Sequence, residues 1–473
     1  LHYRDIGDYL TAEEKLKIVD TSTVDTVDWQ PITPNSHGDW LNQRSDDFTT
    51  WPVLGEKKGT TDTFFKLFSR GLETARDAWA YSYSENKLQD QARGLMENYC
   101  AALDAIQPDQ TAESVLKENP RLVDPRLGKW SSSLISQLNR RAPLSRGGVT
   151  AHSLYRPFCK QRAFFDAQFN HRQYQLPSMF PTSAHQNIGY GVCAASNRTP
   201  FSLLASDLLP NLSLFMDPAQ FFSRFTWAPV DADGGLFGEG ASISKSEPSI
   251  YGQVGEVVAG YVRKDNITDE IKALYRDALG ADITGDDIFH FVYGKLHDPE
   301  YRAKYAADLK KMLPHIETPS SRAEFDKFAA AGQKLMDLHV HYEDVEPWPL
   351  DVQVKGDESS RETWRVIKMR WAKRNDPETG KKINDVTKLI YNKQVTISGI
   401  PAEADEYMLG SRSAIAWLID RYQVKKDKAS GIVNDPNDWA DEVGNPRYIV
   451  DLIGRVTRVA METVRIVDSM NEE

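Results

Sequence analysis

Ser153-Leu-Tyr-Arg-Pro-Phe-Cys-Lys-Gln-Arg162, with the aromatic and basic run that follows it to Phe180, is the stretch on which the reading of this chain turns. Within it Arg156, Lys160, Arg162 and Arg172 alternate with Tyr155, Phe158, Phe164, Phe165, Phe169 and Tyr174. Guanidinium and ammonium groups bind phosphates, and Arg also forks onto the O6/N7 edge of guanine. The aromatics serve either as a core beneath those cations or as platforms for exposed bases. The plainer reading is a buried aromatic strand pair with solvated charges along its rim. On this stretch alone both readings stay open.

Charge distribution outside the stretch favours a nucleic acid. The formal net charge is −11, which as a sum opposes such a partner. Distribution matters more than the sum. From Ser131 to Val230 nine cations face three acids, a net +6; from Arg361 to Lys393 ten cations face four acids, again +6. Two basic segments in an acidic chain form a local footprint. The three cysteines, Cys100, Cys159 and Cys193, lack zinc-type spacing and are odd in number. That pattern implies a reducing, cytoplasmic compartment with neither a disulfide framework nor a structural metal. No apolar run approaches membrane-spanning length, and no charged-then-apolar leader opens the chain. It starts on Leu1, as expected of a piece cut from a longer polypeptide.

At 473 residues the natural expectation is two or three domains. Thr11-Ala-Glu-Glu14 is a capping box that starts a short helix through Ile18. Trp29 to Phe48 is irregular, and Ala80 to Tyr83 reads as a strand. A helix follows from Glu85, with Leu88, Ala92, Leu95, Met96, Tyr99 and Leu103 on one face. Trp130 to Arg141 is helical, and a domain boundary is expected at Pro143 to Gly148. Short strands follow to Trp227, and Asp231 to Gly240 reads as a mobile Gly/Asp-rich loop. Helices are expected over Asp286 to Leu296, then from a cap at Asp298 with Tyr301, Tyr305, Leu309 and Met312 on one face, then over Ser321 to His339. Strands return around Trp364 to Trp371 and Gln394 to Ile400. Ala414 to Tyr422 and Tyr448 to Val467 close the chain as helices.

Catalytic signatures are scarce. Gly55-Glu-Lys-Lys-Gly59 is a turn and not a phosphate loop, and Gly238-Glu-Gly240 lacks the third glycine of a dinucleotide site. Asn445-Pro-Arg-Tyr448 resembles the Asn-Pro-Pro-Tyr loop of adenine methyltransferases, but Arg447 replaces the second proline and the motif opens the last helix. His339 and His341 read as strand neighbours near Glu343, a metal pair short of a third ligand. The chain by itself is expected to catalyse nothing.

Ordered blocks along the sequence resemble one family. They are Tyr3–Tyr9, Gly38–Arg44, Gly71-Leu-Glu-Thr-Ala-Arg-Asp-Ala-Trp79, Ser153–Phe158, Ile288–Arg302, Ile397-Ser-Gly-Ile-Pro401, Asn434–Trp439 and Gly444–Tyr448. Together they are similar to the carboxy-terminal part of single-chain type ISP restriction-modification enzymes. Ala75 and Ser82 stand where Asn is expected in close relatives, and Cys159 where Thr is common. The resemblance implies a multi-domain α+β chain of mixed short strands and helical segments, the DNA target-recognition domain of such an enzyme. Its expected parts are 1–145, the end of a methyltransferase-like region with a connector; 146–260, a strand-rich recognition segment; 261–345, helical; and 346–473, a carboxy-terminal α+β segment.

The implied partners are double-stranded DNA and the methyltransferase and helicase-like domains of the same polypeptide, with no membrane. S-adenosylmethionine, ATP and Mg would serve the parent enzyme, which methylates adenine N6 and cleaves unmodified DNA after ATP-driven translocation. No cofactor is expected in this chain. Candidate DNA-binding residues are Arg140, Arg141, Arg146, Lys160, Arg162, Arg172, Gln173, Asn197, Arg198, Lys368, Arg370, Lys373, Arg374, Lys381 and Lys382. Those near Arg140–Arg146 and Lys368–Lys382 are expected on phosphates; Arg172, Gln173, Asn197 and Arg198 on bases. Arg156 is expected to be structural, its stem packed between neighbours. Two other readings compete: a coupling module between methyltransferase and motor with little DNA contact of its own, and an enzyme fragment that retains S-adenosylmethionine binding.

Overall fold

The computed structural model describes residues 1–7, 10–57, 62–144, 147–196, 198–230 and 248–471. Arg146, Asn197, the Asp231–Gly240 loop with Gly238-Glu-Gly240, and the end of the Gly55–Gly59 turn lie outside the described residues. The architecture is α+β, as the sequence implies.

Its centre is an antiparallel sheet whose strands run in the order Ser69–Arg70, Ala219–Ser223, Gly189–Cys193, Leu203–Ser206. Neighbouring residues on these strands enter different cores. Phe222, Tyr190, Val192, Leu203 and Ala205 face one core, while Phe221 joins a second and Cys193 and Leu204 a third. A sheet covered on both faces needs continuous apolar strands, as in Gly189-Tyr-Gly-Val-Cys193. Beside it lies a second sheet in the order Tyr81–Ser82, Cys159–Phe165, Val149–Arg156, Leu209–Pro210.

Three helical layers close the cores. The helix Glu85–Ala105, capped by Ser84, buries Leu88, Ala92, Leu95 and Tyr99 against Ala163, Phe164 and Phe165 of the second sheet. One core therefore crosses the Pro143–Gly148 break. The helices Gly285–Lys295 and Arg322–Val340 pack against the central sheet. The closing helix Tyr448–Ser469 packs with Ala414–Arg421 on the sheet ordered Asp351–Val354, Val395–Ser398, Lys382–Ile390, Arg370–Asn375.

Local signals set most helix starts. Both halves of the Thr11–Glu14 capping box form, and that helix runs Ala12–Asp20. Asp298 accepts from the Glu300 amide with Pro299 in the first turn. The helix expected beyond it is interrupted at Tyr305, giving Pro299–Lys304 and Ala306–Lys311; Tyr301, Tyr305 and Leu309 are buried as expected. Trp364 to Met369 is not a strand. Arg361–Trp364 forms a helical turn, with the Thr363 hydroxyl and Trp364 indole donating to the carbonyls of Asp357 and Glu358. Val366 exchanges both its backbone bonds with the Asn437 side chain, and the strand begins only at Arg370. Among the described residues no helix is long and apolar enough to cross a membrane.

His339 corrects the strand reading of His339 and His341. It lies inside the helix Arg322–Val340, buried, with Nδ1 2.7 Å from the Tyr293 hydroxyl and Nε2 2.9 Å from Thr463 Oγ1. His341 is the residue after that helix and pairs with Asp337 one turn back. The helix expected over Ser321 to His339 is the reading that holds, and the alternation of the two histidines is the coincidence of a helix end.

Burial lowers the pKa of His339 to about 3 and that of His290 to about 4. Both lie below the unfolded value of about 6.5, so the unfolded chain binds the extra protons and stability falls as pH drops through that value. Going from pH 7 to pH 5 should cost about 2 kcal/mol for each histidine, read as a falling Tm. A flat Tm over that range would contradict their neutral burial.

The two helices over the central sheet meet at Gly294 and Gly332. A Cβ on Gly332 would lie 1.9 Å from the His290 carbonyl oxygen and 2.7 Å from the Gly294 nitrogen. Backbone atoms cannot yield as a side chain can, so Gly332→Ala should destabilise by about 1–3 kcal/mol in denaturant titration.

Candidate nucleic-acid interface

The opening stretch forms an antiparallel hairpin, Val149–Arg156 paired with Cys159–Phe165, turning at Pro157 and at Phe158, whose φ is +55°. Its aromatics are core, as the plainer reading holds. Its charges are not a solvated rim. Arg156 is 7% exposed, its Nη1 donates to Asn211 Oδ1 at 2.8 Å, and its guanidinium lies 4.2 Å from the Tyr155 ring centre.

Arg162 is equally enclosed. It donates to the Tyr83 carbonyl at 2.7 Å, pairs with Glu442 at 2.9 Å and Glu85 at 3.7 Å, and sits 4.4 Å from the Trp439 ring centre. Lys160 pairs with Glu343 beside the same indole, and Glu343 also accepts from the Tyr448 hydroxyl at 2.6 Å. The structure therefore gives Lys160 and Arg162 internal partners, where the sequence reading places them on DNA. The signal for this was their spacing: alternate residues of one strand sharing a single tryptophan.

The remaining candidates divide by what already holds them. Arg140 is exposed at the end of the helix Ser132–Asn139. Arg141 has φ +57° and clips the preceding connector, with Nη2 2.7 Å from the Gln107 carbonyl and 3.0 Å from that of Gln110. Arg172 is exposed and bridges Glu73 through its backbone; Gln173 Nε2 reaches Asn170 Oδ1 at 3.4 Å. Arg198 is 81% exposed yet forks onto Asp217 at 2.8 and 2.5 Å, which holds that carboxyl below its ordinary pKa. Arg224, counted in the sequence only as charge, is 1% exposed between Asp265 at 2.6 Å and Asp286 at 2.7 Å.

Lys368, Arg370, Lys373, Arg374, Lys381 and Lys382 behave differently. All six are exposed, and five lie on the ribbon made by Arg370–Asn375 and Lys382–Ile390 or in its turn. Among the described residues none of the six has a carboxylate within ion-pair distance; Lys373 donates to Asn384 Oδ1 at 2.7 Å. The structure thus brings five of the six together on one ribbon, with Lys368 just ahead of it, while Arg140, Arg172 and Arg198 lie elsewhere in the fold. Among the described residues no group of three His, Cys, Asp or Glu side chains is placed to hold a metal.

The family model of the Type ISP C-terminal specificity domain matches residues 63–452. The chain belongs to that family. It is 30% identical to a nuclease-deletion mutant of the Type ISP restriction-modification enzyme LlaGI, solved in complex with a DNA substrate mimic. That match covers 100% of this chain and 39% of LlaGI, with a TM-score of 0.77. The ATP-dependent Type ISP enzyme LlaBIII bound to DNA is 28% identical over 94% of this chain and 25% of its own, at TM-score 0.74. The DrdV–DNA complex is 28% identical over 100% and 43%, at 0.75. The specificity domain described here therefore spans less than half the length of these solved relatives. No curated protein matches it.

In this specificity domain Arg162 should act on folding. Arg162→Ala, which leaves Glu442 and the Tyr83 carbonyl without their donor, should lower stability by about 1.5–3 kcal/mol in chemical denaturation. Its affinity for duplex DNA, measured under conditions where the variant is folded, should match the parent; a selective loss of DNA affinity at unchanged stability would refute this role.

Proposed function

We propose that this chain recognises a specific duplex DNA sequence on behalf of a restriction-modification enzyme. The observation that carries the reading is the match, over 94% and 100% of the chain, to Type ISP structures solved with DNA or a DNA substrate mimic. The exposed cations at 368–382 support it, since among the described residues none has a carboxylate within ion-pair distance and such cations can neutralise phosphates. They also favour recognition over a purely coupling role. In the parent polypeptide, adenine-N6 methylation with S-adenosylmethionine and cleavage after ATP- and Mg-dependent translocation belong to other parts of the enzyme. Arg140, Arg172 and the 368–382 group are assigned here to DNA contact, with the first and last on phosphates.

Filter binding of the chain to a duplex at increasing salt tests this. Each neutralised phosphate contributes about −0.9 to the slope of log K against log salt. Several such contacts should give a slope of roughly −4 or steeper despite the acidic total. Absence of binding, or an affinity indifferent to salt, would sink the proposal.

A further inference from the structure

The ribbon that carries these exposed cations has an ordered pattern on its two faces. Lys373 pairs across the strands with Asn384, and Asn375 with Lys382. Side chains directly opposite share a face, and so do residues two apart along a strand. One face therefore presents Lys373, Asn375, Lys382 and Asn384, all exposed. The other presents Ala372, Ile383 and Asp385, each partly buried, together with Arg374. The strands meet in a turn held by Asp376, whose carboxylate accepts the Glu378 and Thr379 amides at 2.8 and 3.1 Å, with Gly380 at φ +66°. At the other end the register slips between Trp371 and Ala372, so that Val386–Lys388 have no partner on the Arg370 strand. Asp385 steadies that slip by accepting from the Thr387 amide and hydroxyl at 3.1 and 2.6 Å. Trp371 and Leu389 on the core side are buried, whereas the ribbon beyond them is not.

We propose, building on the DNA-recognition reading above, that this ribbon enters the major groove with its Lys373–Asn375–Lys382–Asn384 face toward the bases, and that Asn375 and Asn384 read adenines. A two-stranded ribbon is of a size the major groove admits, and a side-chain amide can pair with both N6 and N7 of adenine. Complementarity of charge selects the partner: residues 370–390 hold six cations and three acids within a chain of net charge −11. Among the described residues the Asn375 amide has no hydrogen-bond partner. The Asn384 oxygen accepts from Lys373 and keeps its second lone pair and both amide protons available. Lys373 and Lys382 flank the amides as phosphate contacts. Asn375 and Asn384 are diagonal neighbours, so their Cα atoms stand about 7–8 Å apart. That is roughly two steps of the 3.4 Å base-pair rise, so the two adenine readings should fall about two base pairs apart.

The test uses the full chain and a pool of duplexes with a randomised central segment, selected by binding and then sequenced. The parent should enrich a motif. The variant Asn375→Ala/Asn384→Ala should melt like the parent and bind the unselected pool equally well. On the parent's motif it should bind roughly ten- to hundredfold more weakly, with preference lost at two positions about two base pairs apart. Lys373→Ala/Lys382→Ala should weaken binding to every duplex and reduce the salt slope by about 1–2. If the asparagine variant enriches the parent's motif unchanged, or loses affinity equally on every duplex, the ribbon does not read bases and the inference is overturned. If the parent itself enriches nothing and binds no duplex, the fault lies in the DNA-recognition reading beneath it.

Discussion

Arg162 lying across the Trp439 indole is the contact on which much of this fold depends. A guanidinium removed from water is tolerated only where its donors are met. Here they are met from both ends of the chain: Tyr83 and Glu85 at the start of one helix, and Glu442 just ahead of the last one. The hairpin cannot bury that charge alone. It becomes stable only when the helix from Glu85 and the Trp439 segment arrive together, which links the second sheet to both terminal regions. Lys160, Glu343 and Tyr448 repeat the arrangement on the same indole.

Cations in this protein therefore do two unlike jobs, and position in the fold decides which. Arg156, Arg162 and Arg224 are enclosed among aromatics and carboxylates and set the geometry of the scaffold. Those at 368–382 are exposed and, among the described residues, have no carboxylate within ion-pair distance. The acids that make the whole chain negative lie largely outside the ribbon, so its local field opposes the global one.

Much of this was legible in the sequence where one local rule sufficed. Thr11 with Glu14, Asp298 with Pro299, and Ser321 ahead of its helix each name a helix start, because capping is settled within four residues. The family blocks carried the fold class. What escaped was non-local. Trp364 looks like strand by composition, yet its indole is tied back to the Glu358 carbonyl, and the backbone of Val366 two residues on is taken up by Asn437, far along the chain. The same holds for the candidate site. Charge alone ranks Arg162 with Lys373, and only the tertiary partners Glu442 and Trp439 separate an enclosed cation from an available one. Asn375 and Asn384 are not among the sequence candidates because only strand register makes them neighbours on one exposed face.

The slipped register at the base of the ribbon bears on how such a protein can diversify. From Ala372 to Asp385 the two strands add no residue to a buried core, and exposed substitutions of this kind usually change stability by less than about 0.5 kcal/mol. Apart from Asp376, Gly380 and Asp385, which hold the turn and the register, residues 372–385 can therefore vary almost independently of the body that holds them. Selection acting on a new target would meet little resistance from folding at these positions, whereas any change at Arg162 or Gly332 would be judged first by whether the protein still assembles. The molecule thus separates an interior constrained by its own assembly from a finger whose exposed positions folding leaves largely unconstrained.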